Sequence, residues 1–185
     1  AAAKGRFDRL RGEETPCIAV VTYGNRDYDD ALLELADMAR ARGFRLLGAA
    51  ALVGRHTYGE IQVDRPSCRD LEADREFIRK ALAKPEDAPI PAIPGNRPYR
   101  KGGDGGRFRP RTAEDCTGCG LCVRQCPVRA IADDCVTVGE SCISCFRCVR
   151  KCPAGAKGVN TEEYRAFAED FSRKLKTPKE NRYFL

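Results

Sequence analysis

A cysteine pattern that occurs twice, 26 residues apart, restricts this chain more than any other feature. Cys116, Cys119, Cys122 and Cys126-Pro127 form the first copy, and Cys142, Cys145, Cys148 and Cys152-Pro153 the second; both read C-x2-C-x2-C-x3-C-P. Eight of the eleven cysteines of the 185-residue chain therefore lie between Cys116 and Cys152. An odd total and such tight spacing argue against a disulfide framework. Structural zinc sites use pairs of C-x2-C arms separated by longer gaps, which a triple followed by Cys-Pro matches poorly. The run is instead one that holds [4Fe–4S] clusters. Three thiolates two residues apart occupy one tight loop, whereas the fourth cysteine starts a short helix leading away and reaches the neighbouring cluster. Proline is tolerated there because the first helical turn has no use for its N–H. The spacing predicts two clusters with crossed ligand sets: Cys116, Cys119, Cys122 and Cys152 for one, and Cys142, Cys145, Cys148 and Cys126 for the other. Val128 to Val138 are expected to form a helical turn and a strand leading to the second copy, in pseudo-twofold symmetry.

The remaining composition bounds the setting. Charged residues at 32% and apolar ones at 42% describe an ordinary globular chain with no apolar run long enough for a membrane span. Thiols at this density without disulfides imply a reducing, cytoplasmic compartment. The start, Ala1-Ala2-Ala3-Lys4, carries no targeting pattern and reads as processed, trimmed or fragmentary. The net charge is +6, and most of it is local: Arg97, Arg100, Lys101, Arg107, Arg109 and Arg111 face only Asp104 within residues 91–111. A spread basic face for nucleic acid is absent, and a tether able to dock on an acidic redox partner is the expectation.

Before the cysteines the pattern is α/β. Cys17 to Tyr23 and Phe44 to Val53 are almost continuously apolar, as strands covered on both faces are. A helix fits Tyr28 to Arg42, capped by Asp27 and closed at Gly43, with Leu32, Leu35, Ala36 and Ala39 inward. Pro66 precedes a second helix, Ser67 to Ala83, with Leu71, Phe77, Ile78 and Ala81 inward. The order implies a parallel βαβα unit over residues 1–87. Two such strands need neighbours that residues 1–16 do not supply, so either an N-terminal portion is missing or a partner, a second copy included, covers the open edge. Residues 88–111 read as a Pro/Gly-rich linker, residues 112–158 as the cysteine domain, and residues 159–185 as a helix and tail. In that helix Asn160 caps and Tyr164, Phe167, Phe171 and Leu175 form one stripe; Tyr183, Phe184 and Leu185 bury the terminus. Cys17, Cys68 and Cys135 are expected to be buried thiols, with Cys135 near enough to compete as a ligand. His56, the single histidine, lies in a loop after the second strand and has no partner motif for hydrolysis.

With these residues in view, 112–158 resemble a bacterial-type 2[4Fe–4S] ferredoxin domain. Val20-Val21-Thr22-Tyr23-Gly24-Asn25-Arg26-Asp27-Tyr28 resembles the second flavin loop of a flavodoxin. Together with Pro94-Gly95-Asn96-Arg97-Pro98-Tyr99, the chain resembles the flavodoxin–ferredoxin fusion proteins of anaerobic prokaryotes. The fold this implies is a partial flavodoxin-like unit followed by a small ferredoxin domain. The resemblance makes Tyr23, Gly24, Asn25, Arg26 and Tyr28 candidates for FMN. No Ser/Thr/Gly-rich phosphate loop precedes Cys17, so FMN binds only if the other half-site is supplied. The implied function is one-electron transfer through two clusters to or from a redox partner. An FMN-dependent reductase fed by its own ferredoxin domain, or a non-catalytic subunit of a larger redox complex, remains open beside it.

Overall fold

The computed structural model describes residues 4–89, 91–102 and 106–185. Ala1 to Ala3 and the linker residues Ile90 and Gly103 to Gly105 lie outside them. In chain order the elements are α1 (Lys4–Phe7), β1 (Thr15–Tyr23), α2 (Ala31–Arg40), β2 (Phe44–Val53), α3 (Cys68–Leu82), β3 (Arg111–Thr112), α4 (Leu121–Gln125), α5 (Arg147–Arg150), β4 (Lys157–Gly158), α6 (Glu162–Lys174) and β5 (Arg182–Phe184). The chain is mixed α/β and divides into two compact units. One comprises residues 1–102 and 171–185, and the other residues 103–170.

In the first unit β1 and β2 pair in parallel, with a bulge that moves the register between Cys17 and Ile18. The bulge keeps Ala49 and Ala51 on the face of Ala19, where Leu32 and Ala36 of α2 pack. Gly48 turns to the other face, where an added Cβ would stand 3.1 Å from the Phe77 ring of α3. The neighbour that the sequence could not supply for β2 is the chain's own end. β5 pairs antiparallel with it, Ala49 opposite Phe184 and Ala51 opposite Arg182, for a sheet order β1-β2-β5. β2 is thereby central, and the run Leu46 to Ala51 is buried on both faces. Tyr183 and Phe184 are half-buried as expected, whereas Leu185 is exposed.

Three helix expectations shift. α2 starts at Ala31, not Tyr28, because Asp29 adopts a left-handed φ of 48° and Asp27 accepts from the Asp29 N–H at 3.0 Å instead of capping a helix. α3 begins as expected, with Ser67 and Asp70 forming a capping box. Its inward stripe, however, is Asp70, Asp74, Phe77 and Ala81: Asp74 accepts from the Tyr183 hydroxyl at 2.7 Å, and Leu71 and Ile78 are exposed. Thr161, not Asn160, caps α6, its hydroxyl accepting from the Tyr164 N–H at 3.2 Å.

Within the Pro/Gly-rich segment, Asn96, Arg97, Tyr99 and Arg100 are bonded to their own unit. Asp30 accepts from the N–H groups of Asn96 at 2.8 Å and Arg100 at 2.7 Å. Asp37 takes Arg97 in a bidentate pair and the Tyr99 hydroxyl at 2.6 Å. Two of the arginines that suggested docking on an acidic partner, Arg97 and Arg100, are thus paired with Asp37 and Asp29 of their own unit.

In the second unit the 26-residue offset is visible in the backbone. β3 and β4 pair antiparallel with Thr112 opposite Lys157, and the bridge between Ile131 and Val138 joins their counterparts, Val138 lying 26 positions after Thr112 and Ile131 26 before Lys157. α4 and α5 start at equivalent positions, Leu121 and Arg147.

Candidate metal centres

Each cysteine triple occupies a loop that turns through left-handed residues at the same two places. Gly118 and Gly120 take φ of 65° and 68°; Ser144 and Phe146 take 51° and 53°. Glycine meets this demand without strain, but serine and phenylalanine do not. They are held by their surroundings: the Ser144 hydroxyl donates to the Phe108 carbonyl at 2.6 Å, and buried Phe146 lies edge-on to Tyr164. After each Cys-Pro the chain turns again, through Arg129 (φ 51°) in one copy and Gly155 (φ 67°) in the other. This last turn brings amides to the fourth cysteine. The Ala130 N–H donates to the Cys126 sulfur at 3.2 Å. At Cys152, burial raises the thiol pKa, yet the amides of Lys157, Ala156, Ala154 and Gly155 outweigh it and hold the thiol below its ordinary value. Hydrogen bonds of this kind to ligand sulfur are among the levers on cluster potential.

The folded loops bring the cysteines together in two groups. Cys116, Cys119, Cys122 and Cys152 line one hollow, with Cys135 and Lys157 beside them. Cys142, Cys145, Cys148 and Cys126 line the other, with Ile131 and Phe146. Among the described residues no three His, Cys, Asp or Glu side chains close on a single-ion site. Each hollow thus gathers three thiols from one copy of the repeat and the fourth from the other. Burial raises the Cys148 thiol pKa; burial, reinforced by a hydrogen bond with Cys135, raises that of Cys122.

The sequence did not single out Lys157. It is 3% exposed, and its Nζ is buried with no hydrogen-bond partner among the described residues. The signal was present, since a shift of 26 aligns Lys157 with Ile131, but only the fold shows that both positions face the hollows. Of the three cysteines outside the repeat, Cys135 is buried as expected and Cys17 is half-buried against the core. Cys68 is exposed, because the first turn of α3 presents it outward.

The flavin-loop candidates are in the first unit, and several have structural work. The Tyr23 and Tyr28 rings meet edge-on at 5.3 Å. Gly24 packs so tightly that an added Cβ would stand 2.7 Å from the His56 Cα. Asn25, 1% exposed, donates to the carbonyls of Leu175 and Thr177 and accepts from the Lys179 N–H, pinning the C-terminal tail. Arg26 pairs with Asp29 at 2.6 Å. His56 accepts from the Tyr58 N–H and lies edge-on to Phe171, a packed loop residue.

Comparison with known proteins bears on the second unit. The pattern of a 4Fe-4S binding domain matches residues 111–132, and a second 4Fe-4S binding domain pattern matches residues 139–155. No curated protein and no solved structure matches the chain. The matched segments support an iron–sulfur electron-transfer role.

Proposed function

We propose that this protein carries single electrons on two [4Fe–4S] clusters, one held by Cys116, Cys119, Cys122 and Cys152, the other by Cys142, Cys145, Cys148 and Cys126. The observation that supports this reading is the crossed grouping: each hollow takes three thiols from one motif and the fourth from the other. A bound [4Fe–4S] cluster supplies one-electron redox chemistry, with a potential set by net charge, hydrogen bonds to sulfur and solvent exposure. The chain provides the rest. The cysteines bind as thiolates, the turns after Cys126 and Cys152 aim amides at sulfur, and the crossed ligands tie the two copies of the repeat together, so that metal binding and folding of this unit are coupled. The electron then passes to or from a partner protein.

Anaerobic reconstitution with iron and sulfide tests the assignment, with about eight irons per chain expected. The crossing has its own test. A Cys126→Ser/Cys145→Ser double variant, with both changes in one proposed ligand set, is expected to keep about four irons, and Cys126→Ser/Cys119→Ser, one change in each set, almost none. The reverse ranking would place the fourth ligands within their own motifs. Flavin released by heat from the same preparation would move the assignment toward an FMN-dependent reductase.

A further inference from the structure

The two hollows are built from one repeated pattern, so each lining residue can be compared with its counterpart 26 positions away. One pair differs in charge. Ile131, 6% exposed, lines the hollow of Cys126, Cys142, Cys145 and Cys148 and pairs with Val138. Its counterpart Lys157, 3% exposed, lines the hollow of Cys116, Cys119, Cys122 and Cys152 and pairs with Thr112. An isoleucine brings only apolar surface to its site. The lysine brings a buried amine with no hydrogen-bond partner among the described residues, a costly arrangement unless an anion answers it. Asp134, an acid within electrostatic reach, spends its carboxylate on the Val136 N–H and on the N–H and hydroxyl of Thr137. The hollow that Lys157 lines also holds Cys116, Cys119, Cys122, Cys135 and Cys152, and its charge acts on Cys122 there and on Cys148 of the other set.

Resting on the iron–sulfur reading above, we propose that Lys157 is a built-in positive charge for the cluster of Cys116, Cys119, Cys122 and Cys152, and that it makes this cluster the more easily reduced of the two. Each one-electron reduction adds a negative charge to an already anionic group of thiolates and iron. A fixed cation lining this hollow stabilises that added charge there most; its field also reaches Cys148 of the other site, but Ile131 gives that site no cation of its own. The pair is thereby graded: an electron given up by an external donor settles on the Lys157 side, and the site beside Ile131 is the stronger reductant. The backbone N–H of Lys157, which serves Cys152, stays in place when the side chain is changed.

The test is a reductive titration of the iron-loaded chain with dithionite, followed by electron paramagnetic resonance, after iron and sulfide have been counted. Wild-type protein is expected to show two one-electron steps at least tenfold apart in reduction equilibrium, about 59 mV. Lys157→Met lowers the upper step by at least tenfold and the lower one by less; Lys157→Arg, which keeps the charge, leaves both. Coincident steps in the wild type, no shift in K157M, or an equal shift in K157R each overturn the inference. Should K157M bind fewer irons than wild type, the decision passes to Ile131→Lys against Ile131→Met. A lower step raised tenfold by lysine alone supports the inference, and no difference between the two overturns it. A wild-type chain without about eight irons would sink the two-cluster reading itself, whereas eight irons with coincident steps would sink only the role of Lys157.

Discussion

Both cysteine loops demand left-handed backbone at the same two positions, and only the first copy answers with glycine at both. The second meets the demand with Ser144 and Phe146, a serine bonded to the Phe108 carbonyl and a phenylalanine buried edge-on to the Tyr164 ring. Gly118 stands in open space with φ of 65°, so Gly118→Ala isolates the backbone cost. The variant is expected to lose about 1–2 kcal/mol, read from the urea midpoint of iron-loaded protein under anaerobic conditions. A second residue-scale prediction concerns acid. Burial raises the pKa of Asp70, but hydrogen bonds from the Ser67 N–H and hydroxyl and the Arg65 guanidinium beside it outweigh that, and its pKa falls below the ordinary 3.8. The charged form is therefore favoured by folding. Its contribution is fully present above that value and is lost as pH falls through the lower folded value. Wild type should outlast Asp70→Asn at neutral pH in urea unfolding, with the difference shrinking as the solution is taken below the carboxylate range. Ser67→Ala, which removes the other half of the capping box, is expected to cost about 1 kcal/mol.

At the scale of elements, strands and helix positions were legible and their partners were not. The apolar run Phe44 to Val53 marked a strand buried on both faces, which it is, but periodicity carries no information on what lies beside it. The neighbour proved to be Arg182 to Phe184, more than a hundred residues along the chain. A chain ending at Lys179 should therefore open the amides of Ala49 to Ala51, and hydrogen exchange of a peptide covering them should become fast while peptides from the cysteine region keep their rates. α3 shows a related limit. A hydrophobic stripe chose Leu71 and Ile78, yet the face turned inward is the one whose Asp70 and Asp74 find Arg65, Asn181 and Tyr183. Satisfied carboxylates can be buried where a pattern of apolar residues would not place them. The same reason explains the linker: proline and glycine predicted slack, but Asp30 and Asp37 on or beside α2 bind Asn96, Arg97, Tyr99 and Arg100. Asp37→Asn is expected to release that segment, seen as faster proteolysis between Pro94 and Lys101.

Across the whole molecule, the cysteine repeat was readable from spacing alone. Ligand loops are short and local, so C-x2-C-x2-C places its thiols whatever the rest of the chain does. That locality is why the repeat by itself points to iron–sulfur chemistry, and why the two 4Fe-4S binding domain matches fall on the same stretches. What surrounds those thiols depends on residues that meet only after folding. Lys157 reaches one hollow and Ile131 the other through pairings with Thr112 and Val138, and the Cys135 carbonyl accepts from the Thr112 hydroxyl, contacts that no local pattern announces. Asn25, singled out for its loop, turned out to hold the C-terminal tail for the same reason. Short-range spacing thus determined where the sulfurs gather; long-range packing decided which charges, which edge strand and which buried amine they share the protein with, because those depend on distances between residues far apart along the chain.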